Sequence, residues 1–203
     1  MLTLRLLAAL IPTTAVLVAP PAAHAERLTI EDAVADAQTI RSDFDEEVFT
    51  PAPEHTAADI TRTVVMNGAR RLQVRVLFRD LERTFPSAAY VKVRTPGWRF
   101  DIQTSRNALE ADIQLTRRQR RDLVECRGLR SRVDGAEDQL TISVPSACIG
   151  NPAWVQVGVL SLLAEVDANF ESEEPFSLYF DDANTTGGFE DQDARLGPRV
   201  ITG

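Results

Sequence analysis

Lysine occurs once in the 203 residues, at Lys92, and histidine, cysteine, tryptophan and tyrosine occur only twice each. Each scarcity removes a class of function. Two cysteines cannot frame a disulfide-built miniprotein. His24 lies in an N-terminal segment set aside below, so a Ser-His-Asp or Cys-His site would have to use His55. That residue stands in the run Pro51-Ala52-Pro53-Glu54-His55-Thr56, where an exposed loop histidine is expected, and no Gly-x-Ser-x-Gly surrounds any serine. One histidine beside a cysteine pair is also too small a donor set for zinc. Aromatics make up 6% of the chain, which is thin for a sugar-processing cleft. The one long apolar run is N-terminal, so no integral membrane helix is expected beyond it. What is present, 44% hydrophobic and 26% charged residues in an even mixture, is too apolar for a disordered chain. One soluble globular domain is the expectation.

Residues 1–25 read as a secretory signal peptide. Arg5 gives a positive start, Leu6 to Ala19 is mostly apolar, Pro20 and Pro21 end it, and Ala23-His24-Ala25 supplies small residues for cleavage before Glu26. The expected layout is a signal at 1–25, a single domain over 26–185, and a flexible C-terminal extension over 186–203. The expected location is secreted and extracellular, with no membrane contact after cleavage.

Charge is unevenly laid out. Residues 26–59 hold ten acids and two bases, residues 60–132 seven acids and seventeen bases, and residues 133–203 thirteen acids and two bases. Acidic outer strands pairing with basic middle strands would account for this. A face for polyanions is the alternative.

The hydrophobic period is mostly two. Ile60, Val64 and Met66 alternate along one run, Asn67-Gly68 marks a hairpin turn, and Leu72, Val74, Val76 and Phe78 share one face of the return strand. Further strands are predicted over 88–95, 98–104, 108–115, 129–133, 140–144, 154–163 and 176–180, with Pro96-Gly97 and Asp134-Gly135 in turns. Residues 31–38 read as a helical turn or a loop, and 116–124 as a short helix rich in Arg and Gln. The predicted fold is an all-β antiparallel sandwich, jelly-roll-like, with at most one or two short helices.

Cys126 and Cys148 flank the predicted hairpin around residue 136. Pairing Val133 with Leu140 puts the two cysteines one residue from perfect register at its open end. Pro145 to Pro152 reads as a single helical turn that absorbs the offset, started by proline and stopped by Gly150. In an exported chain this pair is expected to be oxidised, which closes a loop contributing about 3 kcal/mol.

Binding features are few. Arg117, Arg118, Arg120 and Arg121 form the densest basic run and could grip an anionic wall polymer by charge-assisted contacts; otherwise they are a solvated connector. Trp98 follows Pro96-Gly97 in a turn and is the better exposed glycan platform, whereas Trp154 opens an apolar strand and is expected in the core. Asp43, Asp45, Glu46 and Glu47 are clustered hard-oxygen donors, and Asp181-Asp182 closes the last strand. They are weak calcium candidates without a recognised loop spacing. Solvated acidic loops are the expectation there, with a calcium-dependent rise in melting temperature of no more than a few degrees. No metal, cofactor or nucleic-acid partner is expected.

Several segments resemble a group of small exported proteins of high-GC Gram-positive, actinobacterial type. They are Cys126-Arg127-Gly128-Leu129-Arg130, Val133-Asp134, Val144-Pro145, Cys148-Ile149-Gly150 and Pro152 to Gly158, with Asp59-Ile60, Val74 to Leu81 and Tyr179 to Ala183. The shared motifs are structural. They imply a disulfide-bearing β-sandwich and no activity. More distantly, the architecture is similar to carbohydrate-binding modules. The function expected is that of a secreted, non-catalytic module for wall polymer, glycan or a partner protein. The alternative is an extracellular glycosidase-like hydrolase using a carboxylate pair.

Overall fold

The computed structural model describes residues 26–43, 46–81, 87–106, 111–166, 176–185 and 194–203. Among these residues, fourteen strands form two antiparallel sheets. The strands are β1 (Glu26–Glu31), β2 (Gln38–Asp43), β3 (Glu46–Pro51), β4 (Ile60–Asn67), β5 (Arg71–Phe78), β6 (Ser87–Arg94), β7 (Arg99–Arg106), β8 (Ala111–Arg117), β9 (Asp122–Leu123), β10 (Arg130–Asp134), β11 (Gln139–Pro145), β12 (Trp154–Val166), β13 (Phe176–Asp182) and β14 (Arg199–Ile201). The smaller sheet runs β1-β4-β5-β11-β10. The larger runs β3-β2-β13-β12-β6-β7-β8-β9, with β14 on the edge of β12. The two pack face to face as a β-sandwich, as the alternating pattern predicts.

Period-two alternation is what makes this packing possible, because it puts every second side chain on the shared face. Leu72, Val74 and Val76 of β5 and Ile142 and Val144 of β11 meet Val91 and Val93 of β6, Phe100 and Ile102 of β7, and Val155, Val157 and Val159 of β12 in one core. Each such side chain stabilises the fold by about 1.5–3 kcal/mol when fully buried.

The Val133–Leu140 register holds as read from the sequence. Ser146–Ile149 form a single 3-10 turn between Pro145 and a left-handed Gly150, and Cys126 is bonded to Cys148.

Three expectations are corrected and one open alternative is decided. The hairpin between β4 and β5 exists, but Asn67 pairs with Leu72 and Gly68 bonds Arg71, so the corner falls at Ala69-Arg70. Residues 116–124 form no helix. β8 turns back through 118–121 into β9, with Arg121 in the left-handed region. Residues 31–38 take the loop alternative. The C-terminal extension is not free over 194–203. β14 pairs with β12, Val200 and Ala194 are buried, and Asn67 donates its side-chain amide to the Val200 carbonyl at 3.0 Å. Three paired residues are too few to show a period, so the sequence alone hides this strand. Among the described residues no helix is long and apolar enough to cross a membrane. Residues 1–25, where a signal peptide is expected, lie outside the described residues.

Candidate functional site

The alternation that fills the core sends the other half of each strand outward. On the outer face of the larger sheet, Lys92 of β6 stands opposite Asp101 of β7, Tyr90 opposite Gln103, and Asp101 opposite Thr116 of β8. These side chains line a groove of about 330 Å³, with Arg118 at one side and Leu160 and Ala194 at the other. Gln103 donates to the Tyr90 hydroxyl at 3.2 Å, and Arg118 reaches Asp101 at 4.0 Å. The groove therefore offers hydrogen-bond donors and acceptors, one aromatic ring and two cationic side chains. That mixture suits a polyhydroxylated chain carrying negative charge.

The four arginines of the basic run separate. The β8–β9 turn carries Arg117 and Arg120 to the Trp98 ring, with guanidinium carbons 4.8 and 5.3 Å from its centroid. Trp98 is 37% exposed, so the ring is open to solvent but already holds two cations. Arg117 also lies 3.5 Å from Asp122. Arg118, the first residue of that turn, lines the groove. Arg121 is exposed in the turn. Two features read separately from the sequence, the tryptophan and the basic run, thus converge at one end of the larger sheet.

Trp154 is not a core residue. It is half-buried beneath Arg199, whose guanidinium lies 4.3 Å from the ring centroid. His55 is likewise not exposed. Small residues in its loop, Ala52, Ala57 and Ala58, are buried and let the loop lie close on β12 and β13. There the imidazole stacks on Tyr179 at 3.4 Å between ring centroids, with Glu165 and Glu54 at 3.3 and 3.4 Å. Burial, followed by the nearby Glu165, raises the Tyr179 hydroxyl above its ordinary range.

The acidic run and the Asp181-Asp182 pair named as weak calcium candidates lie on separate strands. Asp43 and Glu47 belong to the β2–β3 hairpin, and Asp45 lies outside the described residues. Burial concentrates a different set. Asp59, Asp181 and Asp182 are buried, and Asp32 and Asp36 lie beside them in the β1–β2 loop. Asp181 accepts a 2.6 Å hydrogen bond from the Ile60 amide, which joins the larger sheet to the smaller. Burial and the neighbouring Asp32 push its carboxyl up to about 9. Burial, assisted by Asp36, pushes Asp32 up to about 8. Asp59 is also raised by burial, against an Ala35 hydrogen bond and Arg79 that pull it down. Asp182 is raised by burial although it accepts from the Arg195 and Asn184 amides at 2.8 and 3.1 Å. In a chain with thirty acids, no local spacing singles these out. They come from three separate segments. The only signal in the sequence was Asp181-Asp182 closing a strand.

No family model, curated protein or solved structure matches this chain.

Proposed function

We propose that this chain is an exported, non-catalytic binding module that holds an anionic glycan or wall polymer in the outer groove of its larger sheet. The observation that carries this reading is the groove itself. Lys92 and Arg118 supply positive charge, Gln103 and Thr116 supply hydrogen bonds, and Tyr90 supplies a ring for a sugar face. The paired cations on Trp98 extend the positive surface along the same end of the sheet.

The disulfide supports an oxidising location outside the cytoplasm. The hydrolase alternative is weaker on two counts. Glycosidases place two carboxylates across an open cleft, and Asp101 is the one carboxylate lining this groove among the described residues. Of the acids with raised proton affinity, Asp59, Asp181 and Asp182 are buried beyond the reach of a sugar, and none of the set lines the groove.

Co-sedimentation with purified bacterial cell wall, with and without its anionic polymer, tests the reading. Binding is expected at low salt, with a fall as salt rises. Tyr90→Ala and Arg118→Ala are each expected to weaken it about tenfold, while Arg132→Ala on the other sheet leaves it unchanged. No sedimentation at low salt, or full binding by Tyr90→Ala, overturns it.

A further inference from the structure

Asp36, Asp59 and Asp181 each present a carboxylate oxygen within 4.8 Å of the others. They arrive from the end of the β1–β2 loop, the residue before β4, and the penultimate position of β13. The group therefore sits where the two sheets and one crossover meet. Acidic clusters are common on protein surfaces, but this one is largely inside.

A second observation points to a ligand. Asp59 is fully buried, and its Oδ2 is taken by the Ala35 amide at 2.8 Å and Arg79 at 3.1 Å. Its Oδ1 is equally buried and receives no donor, and the same holds for Oδ2 of Asp32. A buried carboxylate oxygen without a partner carries its full desolvation cost. Arg79 offsets one charge, whereas Asp32 and Asp181 face other carboxylates. Oxygen-only donors of this kind are hard, and they favour calcium- or magnesium-type cations over zinc or copper.

We propose that Asp36, Asp59 and Asp181, with Asp32 beside them, form a site for one divalent cation of the calcium type that joins the β1–β2 loop to both sheets. Calcium takes six to eight oxygens in irregular geometry. Three or four carboxylates with water completing the shell meet that demand. The cation supplies the countercharge that Asp181 and Asp32 otherwise lack. The site is separate from the outer groove and does not depend on what the groove binds.

The test is calcium titration of the mature chain after chelator treatment, followed by calorimetry and thermal unfolding. One Ca²⁺ per chain is expected, with the melting temperature rising about 5–10 °C at a hundredfold excess over Kd. Asp181→Asn and Asp36→Asn are each expected to weaken binding about 30-fold or more. Asp36 is only half-buried, so its variant decides the matter if Asp181→Asn fails to fold. Asp43→Asn on the β2–β3 hairpin should bind as the parent does. No heat and no thermal shift in millimolar calcium would overturn the site and leave carboxyl groups sharing protons. Unchanged affinity in Asp36→Asn, or loss of binding in Asp43→Asn, would overturn it as well.

Discussion

Replacing Cys126 and Cys148 together by serine is expected to lower the unfolding free energy by about 3 kcal/mol, and the melting temperature by about 6–12 °C. The bond spans 22 residues. Much of what it constrains is the unfolded chain, since the β10–β11 hairpin it encloses keeps its own ladder without it. In the folded state the two half-cystines pack against the main core beside Ile149 and Leu129. The bond pins the β9–β10 connection to the 3-10 turn after β11. A second tie serves the same connection. Arg71 donates to the Gly128 carbonyl at 2.7 Å and to the Ser143 hydroxyl at 2.6 Å. The reduced protein is therefore expected to stay folded at room temperature, with hydrogen exchange accelerated chiefly over residues 124–130. Chemical denaturation with and without reductant measures this. A reduced protein as stable as the oxidised one would show that Arg71 and the hairpin ladder already fix the connection.

Gly158→Ala is expected to cost about 2–3 kcal/mol, far more than an exposed glycine substitution. A Cβ at this position would fall 2.4 Å from the Arg195 carbonyl oxygen and 3.1 Å from that of Ala194. Both are backbone, so neither can swing aside as a side chain would. The C-terminal segment lies directly on β12 here. The Gly197 amide bonds the Val157 carbonyl at 2.9 Å, and Gln156 bonds the Gly197 carbonyl at 2.9 Å. Adding one methyl group must lift this segment, uncover Ala194 and Val200, and break the Arg195 bond to Asp182. Thermal unfolding and protection of the Gly197 and Thr202 amides report the effect. Gly97→Ala is the matched control, because a Cβ there meets nothing within 4 Å, and it should change stability by about 0.5 kcal/mol or less. Equal behaviour of the two variants would show that the segment is held loosely.

Both expectations bear on function through the same sheet. Ala194 forms one side of the outer groove. A loosened C-terminal segment should therefore weaken the proposed wall binding as well as stability, while disulfide removal should leave the groove's own strands, β6 to β8, in place.

What the sequence determined by itself is mostly local. Alternation at period two identified β4 to β8, β10, β11 and β13 within a few residues, and a long apolar run identified β12. The Val133–Leu140 register, the proline-started turn and the left-handed Gly150 were legible because each depends on residues close in the chain. The disulfide followed from that register. Strands β1 to β3 were missed, since each carries at most two large apolar residues, too few to show a period.

Tertiary structure alone decided the rest. Asn67-Gly68 looked like a turn corner, yet Asn67 is buried and its amide holds the C-terminal strand. His55 looked exposed until alanines in its loop allowed close packing on Tyr179. Trp98 and the arginines were separate features until the β8–β9 turn brought Arg117 and Arg120 to one ring and left Arg118 facing the groove. The clustered aspartates are drawn from segments as far apart as residues 32 and 181, and only the Asp181-Asp182 pair stood out locally. Residue type and spacing set which groups a strand offers to each face. Which faces meet across the sandwich, and so which charges lose their water together, depends on contacts between segments that lie far apart in the chain.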